Sequence, residues 1–256
     1  MKEENDEFSA KPLTSCEKSR KNRERIVSEI GDVDLLRGTV WMKFVQAVIS
    51  MRTRHAKHRK LGILFSPDDC SQIIDRGKWY TEASVINFEK PYLKDRVEYK
   101  FHYNQEPVAA LPLALEYLEL AITICFPNIR HIRFSLIWSG KNCNQQPLHA
   151  DEDAYYNSVD AYGKRRIDNA PYSIIFALED NSNPTSLDLD DHGKRKNVKL
   201  PQGSGILLRG DCRHAGVAYD RENYRLFVAL GSDDYPNRGL TTGALNVRSN
   251  GKIAGP

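Results

Sequence analysis

The sequence predicts a mainly β protein with flanking helices, its core strands wound as a jelly roll. Three observations predict it. From Ile132 to Leu230, short β-rich segments follow one another, punctuated by Gly, Asn, Asp and Pro. The strongest run of helix formers ends just before them, at Pro127. Two histidines and an aspartate stand on segments about sixty positions apart, room for four short strands and their turns.

The elements follow in chain order. Residues 1–28 are polar and charged with few apolar anchors, the composition of a mobile arm that gains helix character toward Ile26 to Ile30. Between Leu35 and Met51 the spacing of Val40, Phe44, Val45 and Val48 predicts an amphipathic helix that ends in the basic run Arg52 to Lys60. Pro67, Asp68 and Asp69 suit the first turn of a second helix, where proline's missing N–H costs nothing and acids meet the positive end of the helix dipole. The segment between Pro107 and Pro127 carries Glu116 and Glu119 on one side and a Leu/Ile stripe that reads as core.

Eight strands are then expected: Ile132–Ser139, Pro147–Asp151, Tyr172–Leu178, Ser186–Leu189, Val198–Leu200, Ile206–Leu208, Ala215–Tyr219 and Tyr224–Leu230. The resulting division is an arm at 1–28, a helical and mixed flanking region at 29–130, a core at 131–235 and a tail at 236–256, with 29–256 forming one domain.

Composition narrows the function classes. With 256 residues, 40% of them apolar, the chain can bury one substantial core. No run of about 18 apolar residues suggests a membrane span, and the acidic start lacks the apolar stretch of a secretion signal, so a soluble intracellular protein, cytoplasmic or nuclear, is expected. Cys16, Cys70, Cys125, Cys143 and Cys212 form an odd set without a Cys-x-x-Cys pair, which argues against a disulfide scaffold or zinc knuckle. Net charge is only +3, so the overall balance does not ask for nucleic acid. The basic runs Arg52 to Lys60, Lys164 to Arg166 and Lys194 to Lys196 read first as solvated surface.

The chemistry is carried by His149-Ala150-Asp151, His214 and Arg225. Alternate side chains share one face of an extended strand, so His149 and Asp151 project together across about 7 Å of backbone. Two imidazoles and one carboxylate form the facial set that holds ferrous iron while leaving coordination positions open for reactants. Asp153 shares the strand parity of Asp151, and Glu152 lies between them, so both are rivals for the carboxylate. Arg225 opens the apolar run that ends at Leu230 and can aim inward, whereas Arg221 sits in a polar turn.

These residues resemble the Fe(II)/2-oxoglutarate-dependent dioxygenase superfamily, whose pattern is His-x-Asp, a distant His, and a basic residue about one strand later. The resemblance covers about Ile132 to Ser232 and names no subfamily. It implies a double-stranded β-helix (jelly roll, cupin-like) core, with Fe(II) held by His149, Asp151 and His214, and with 2-oxoglutarate and O2 as co-substrates. It further implies that Arg225 grips the far carboxylate of 2-oxoglutarate, a task suited to a planar bidentate donor. The implied reaction is hydroxylation or demethylation of an unidentified substrate, with release of succinate and CO2. Tyr172, opening the strand after a long polar insertion, is a candidate hydroxyl donor to 2-oxoglutarate. Gln146, Tyr155 and Tyr156 are candidates for contacting substrate or orienting a ligand. Two other readings stand beside this one. One is a non-catalytic jelly-roll module that binds a metal or anion for regulation. The other is a nucleic-acid demethylase using the run 52–60, which is not favoured on charge.

Overall fold

The computed structural model describes residues 41–53, 56–79, 85–87, 95–101, 112–126, 128–129, 131–151, 171–180, 182–191 and 193–231. Three helices come first or are interleaved with early strands: α1 (Trp41–Thr53), α2 (Pro67–Trp79) and α3 (Leu113–Cys125). The strands are β1 (His58–Ile63), β2 (Val85–Asn87), β3 (Arg96–Lys100), β4 (His131–Ser139), β5 (Tyr172–Ala177), β6 (Thr185–Asp191), β7 (Lys194–Leu200), β8 (Ser204–Arg209), β9 (His214–Gly216) and β10 (Asn223–Gly231). They form two antiparallel sheets, one ordered β1-β8-β5-β10-β4-β3-β2 and one ordered β7-β6-β9.

The expected jelly roll is therefore present, and its central strands explain why the alternation along the sequence was imperfect. Strands β5 and β10 are covered on both faces. Phe176, Ile174, Leu226 and Val228 face α1 and α3, together with Phe44, Met51, Leu115 and Ile122. Ile175, Ala177, Phe227 and Ala229 face the smaller sheet and meet Leu187, Leu189, Val198 and Leu200. A strand buried on both faces needs apolar residues at nearly every position, which erases the period of two. This double layer also fixes the site, because polar residues on the inner face of the large sheet end up between the sheets.

The helices form for local reasons that the sequence shows. Ser66 caps α2: its hydroxyl accepts the Asp69 N–H at 3.1 Å, while the Asp69 carboxylate accepts the Ser66 N–H at 2.8 Å. Pro67 then takes the first helical position, as expected. Gly77 lets α2 lie against β4, since a Cβ there would stand 2.4 Å from Leu136 Cδ2. No helix among the described residues is long and apolar enough to cross a membrane.

Three features differ from the sequence expectation. The basic run does not simply close α1, because His58–Ile63 is strand β1 at the edge of the large sheet, with His58 opposite Leu208 and Lys60 opposite Ile206. Arg59 and Lys60 are exposed there, and charged residues on an edge strand discourage pairing with another chain. Strand β2 and most of β3 were also not anticipated, because β3 buries the charged residues Arg96 and Glu98 and leaves Val97 and Tyr99 half-buried, the reverse of the usual pattern. The expected strand at Pro147–Asp151 is reduced to a single bridge between His149 and His214. The Lys194 to Lys196 run lies on β7 against the acidic strand β6, with Arg195 opposite Asp190 and Asn197 donating to Asp188 at 2.9 Å. The side chains of Lys194, Arg195 and Lys196 are exposed, as expected of a solvated run.

Candidate metal centre

The site is built where β9 meets the chain leading into Asp151. His149 and His214 are directly opposed, the N–H of each donating to the carbonyl of the other at 2.9 and 2.7 Å. This hydrogen-bonded pairing of distant segments brings the imidazole rings to 4.7 Å between centroids, tilted by 48°. Between Asp151 and β9 the chain runs through β5, β6, β7 and β8, the four strands that the spacing of the ligands had room for.

Asp151 completes the cluster. Its Oδ1 lies 3.9 Å from His149 Nε2 and 3.8 Å from His214 Nε2. Ligand atoms of all three residues fall within 4.8 Å of one another, and no other such group of His, Cys, Asp or Glu is found among the described residues.

Hydrogen bonds behind the cluster decide which atoms it presents. His149 Nδ1 is 3.0 Å from the Pro147 carbonyl, and His214 Nδ1 is 3.0 Å from the Cys212 carbonyl. A carbonyl only accepts, so each Nδ1 carries the proton and each Nε2 turns a lone pair toward Asp151. Ser173, on β5, donates its hydroxyl to Asp151 Oδ2 at 2.7 Å and leaves Oδ1 to face the imidazoles. Burial, and then the neighbouring His214, push the His149 imidazole down from 6.5 to about 4, although Asp151 opposes the shift. A neutral imidazole at ordinary pH is the form that binds a metal.

Next to the triad lie two buried guanidinium groups, those of Arg225 and Arg96. Arg225 is 3% exposed and projects from β10 between the sheets, and its Nη1 has no hydrogen-bond partner among the described residues. Arg221 is exposed in the preceding turn. Gly216, two positions after His214 on β9, shares the parity of that ligand. A Cβ there would stand 3.2 Å from Arg225 Nη2, 3.2 Å from Arg96 Nη1 and 2.6 Å from Gln146 Oε1. Gln146 joins this wall by its backbone as well: its N–H donates to the Gly216 carbonyl at 2.9 Å, and its side-chain oxygen accepts the Gly216 N–H at 3.0 Å. Gln146 thus fixes the strand that carries His214.

Arg96 comes from β3, outside the segment in which the site was sought. It donates to Ser139 Oγ at 2.8 Å and to the carbonyls of Val217 and Asn144 at 2.7 and 3.0 Å. Sequence reasoning missed Arg96 because β3 lies before the recognisable pattern. It also missed Ser173, whose small polar side chain within the strand Tyr172–Ala177 is the one signal that could have found it.

Tyr172 does not face this site. Neighbouring residues of a strand face opposite sides, so if Ser173 points to Asp151 then Tyr172 points away. Its ring packs in the core beneath the helices, 5.0 Å from Phe126, and the expectation that it donates to 2-oxoglutarate is corrected accordingly. Tyr155, Tyr156, Glu152 and Asp153 lie outside the described residues.

Comparison with known proteins places this geometry in a wider setting. No protein-family model matches the chain, and no curated protein sequence does. Solved structures do. A prolyl-4-hydroxylase of Pseudomonas putida superposes with a TM-score of 0.54 at 14% identity, over 73% of this chain and 97% of that one. A prolyl hydroxylase of Trichoplax adhaerens, solved with a peptide fragment of the hypoxia inducible factor oxygen degradation domain, gives 0.57 at 10% identity, over 83% and 98%. A prolyl 4-hydroxylase structure from Phytophthora capsici gives 0.53 at 12% identity, over 82% and 70%. At such identities the likeness speaks for architecture: the chain has the fold of these prolyl hydroxylases, a mainly β core of two antiparallel sheets with helices packed outside.

Proposed function

We propose that the protein is an Fe(II)- and 2-oxoglutarate-dependent dioxygenase that oxidises a C–H group of its substrate, hydroxylating it or removing a methyl group, with release of succinate and CO2. The observation that carries this reading is the convergence of two Nε2 atoms and one carboxylate oxygen, each held from behind by a hydrogen bond, on one face of the jelly roll.

The residues present fit both groups. Two neutral imidazoles and one carboxylate suit ferrous iron and leave positions open for reactants. The unpartnered Nη1 of buried Arg225 suits the far carboxylate of 2-oxoglutarate, because a buried guanidinium donor without an acceptor is costly until an anion meets it. When bound, the iron and its co-substrate supply the oxidising chemistry, in which O2 is reduced, 2-oxoglutarate becomes succinate and CO2, and one oxygen atom passes to the substrate.

The chain's own contribution is placement. Ser173 holds Asp151 to one-oxygen presentation, and the Pro147 and Cys212 carbonyls hold both imidazoles in one tautomer. Arg225 sets the orientation of the co-substrate, and Gly216, lacking a side chain, lets the guanidinium lie close to β9. The two sheets keep this interior largely free of water. The fold shared with prolyl hydroxylases, one of them solved with a peptide, supports a peptide or protein side chain as the substrate class. The placement of Arg59 and Lys60 on one edge strand and of Lys194 to Lys196 on another sheet, apart from each other, supports it over nucleic acid.

The test is succinate formation by iron-loaded protein supplied with 2-oxoglutarate, ascorbate and oxygen. Turnover that disappears in Asp151→Ala supports the proposal. Iron binding with no succinate, with or without a peptide library, would leave a non-catalytic metal module instead.

A further inference from the structure

Arg225 is not the sole buried cation beside the triad. Arg96, also 3% exposed, reaches the same place from β3, and both guanidinium groups lie 3.2 Å from the point where a Gly216 side chain would begin. Neither forms an ion pair with a carboxylate among the described residues. Asp151 is committed to Ser173 and the imidazoles. Glu98 is buried on the face of β3 that carries Arg96, but neither of its carboxylate oxygens accepts a hydrogen bond from Arg96 or Arg225, and its Cα lies two strand spacings, about 10 Å, from that of Arg225. Each arginine keeps one buried nitrogen without a partner, Arg225 Nη1 and Arg96 Nε.

Two buried like charges with unused donors are unfavourable unless an anion belongs between them. We infer that Arg96 is a second anchor for the co-substrate, so that the far carboxylate of 2-oxoglutarate is held between two guanidinium groups, one from β10 and one from β3.

This rests on the reading of the site as a co-substrate pocket and adds a residue to it from outside the jelly-roll core. Glycine at position 216 lets both guanidinium groups close on the β9 backbone, since a Cβ there would already stand 2.6 Å from Gln146 Oε1 and 3.2 Å from each arginine. Arg96 is also held in place in advance. Its bonds to Ser139, Asn144 and Val217 fix the guanidinium plane, so little is lost in ordering it when the anion arrives. Burial, and then Arg225, pull Arg96 down to about 10, which still leaves it charged at neutral pH. Paired cations reward a dianion over a monoanion, so Arg96 sets specificity for a dicarboxylate.

The experiment compares two ligands by calorimetric titration into protein loaded with Mn(II): 2-oxoglutarate, and 2-oxopentanoate, which has the same 2-oxo acid end but a methyl group in place of the far carboxylate. Arg96→Gln is expected to weaken 2-oxoglutarate by about tenfold or more, the worth of a charged hydrogen bond, and to leave 2-oxopentanoate unchanged. Arg96→Lys is expected to recover most of the loss. Equal weakening of both ligands, or no weakening of either, overturns the inference and assigns Arg96 to structure alone. A measurement on the unaltered protein covers the case in which Arg96→Gln does not fold: the Nε–H signal of Arg96 in metal-free protein should move on titration with succinate, and a static signal overturns the inference. Failure of the proposed function is distinguishable, because it removes succinate production and binding of both oxo acids at the metal while the response of Arg96 to added succinate persists.

Discussion

The Ser173 hydroxyl donates a 2.7 Å hydrogen bond to Asp151 Oδ2, tying the carboxylate of the candidate metal centre to the middle of the large sheet. β5 thereby gives the carboxylate a fixed partner inside the large sheet. Ser173→Ala should therefore weaken metal affinity by about tenfold, the lower end of what partners behind metal ligands contribute. Titration with Fe(II) under nitrogen, or with Mn(II), measures it. Unchanged affinity would mean that the hydrogen bond has no part in holding the ligand.

Arg225→Ala should leave metal binding intact and weaken 2-oxoglutarate by about 2–3 kcal/mol, the range for a charged hydrogen bond plus the loss of its geometry. The split between metal and co-substrate is what matters here. A variant that lost both together would point to a collapsed site rather than a missing anchor.

Acid should destabilise the metal-free protein through His149. Its imidazole is held near pH 4 in the fold against 6.5 for the ordinary group. Above pH 6.5 the group is neutral in both the folded and unfolded states and has no effect. As pH falls below 6.5 the unfolded chain takes up a proton that the folded chain refuses, so stability declines until about pH 4 and then levels for this group. The gap corresponds to on the order of 3 kcal/mol at most. Thermal melts of metal-free protein across that window, beside His149→Gln, should show a steep pH dependence that the variant largely lacks.

Gly216→Ala places a Cβ 2.6 Å from Gln146 Oε1 and 3.2 Å from both arginines. The glutamine end can move aside, but only by giving up its bond to the Gly216 N–H. The variant should fold, with co-substrate affinity lowered by about 1–3 kcal/mol, the cost of an overfilled site. Gly216→Val should be worse. Retention of full affinity by both would show that the co-substrate does not pass this point.

Tyr172 separates packing from ligand contact. Tyr172→Phe should leave 2-oxoglutarate affinity as it was, because the ring lies against Phe126 on the far side of the sheet. Tyr172→Ala should cost about 3 kcal/mol of stability in a denaturant titration. A selective fall in co-substrate affinity for Tyr172→Phe would reinstate the hydroxyl as a donor.

The sequence by itself determined the jelly-roll core and the identity of the converging side chains, because both depend on local patterns. His149 and Asp151 share a face by strand parity, and Arg225 lies inside an apolar run while Arg221 lies in a turn. The Pro67 start of α2 was legible for the same reason, since proline and acidic residues favour the first turn of a helix. Where a decision depended on register or on a remote partner, only the tertiary structure settled it. Tyr172 and Ser173 are adjacent, and which of them faces Asp151 follows from how β5 pairs with β8 and β10, where a shift of one residue exchanges the faces. His58–Ile63 became a strand because β8 offered it an edge, against the basic composition that suggested only a solvated run. Arg96 stands beside Arg225 because β4 pairs with both β3 and β10, joining parts of the chain that share no pattern in sequence. Local chemistry selects the groups; long-range pairing decides which of them meet.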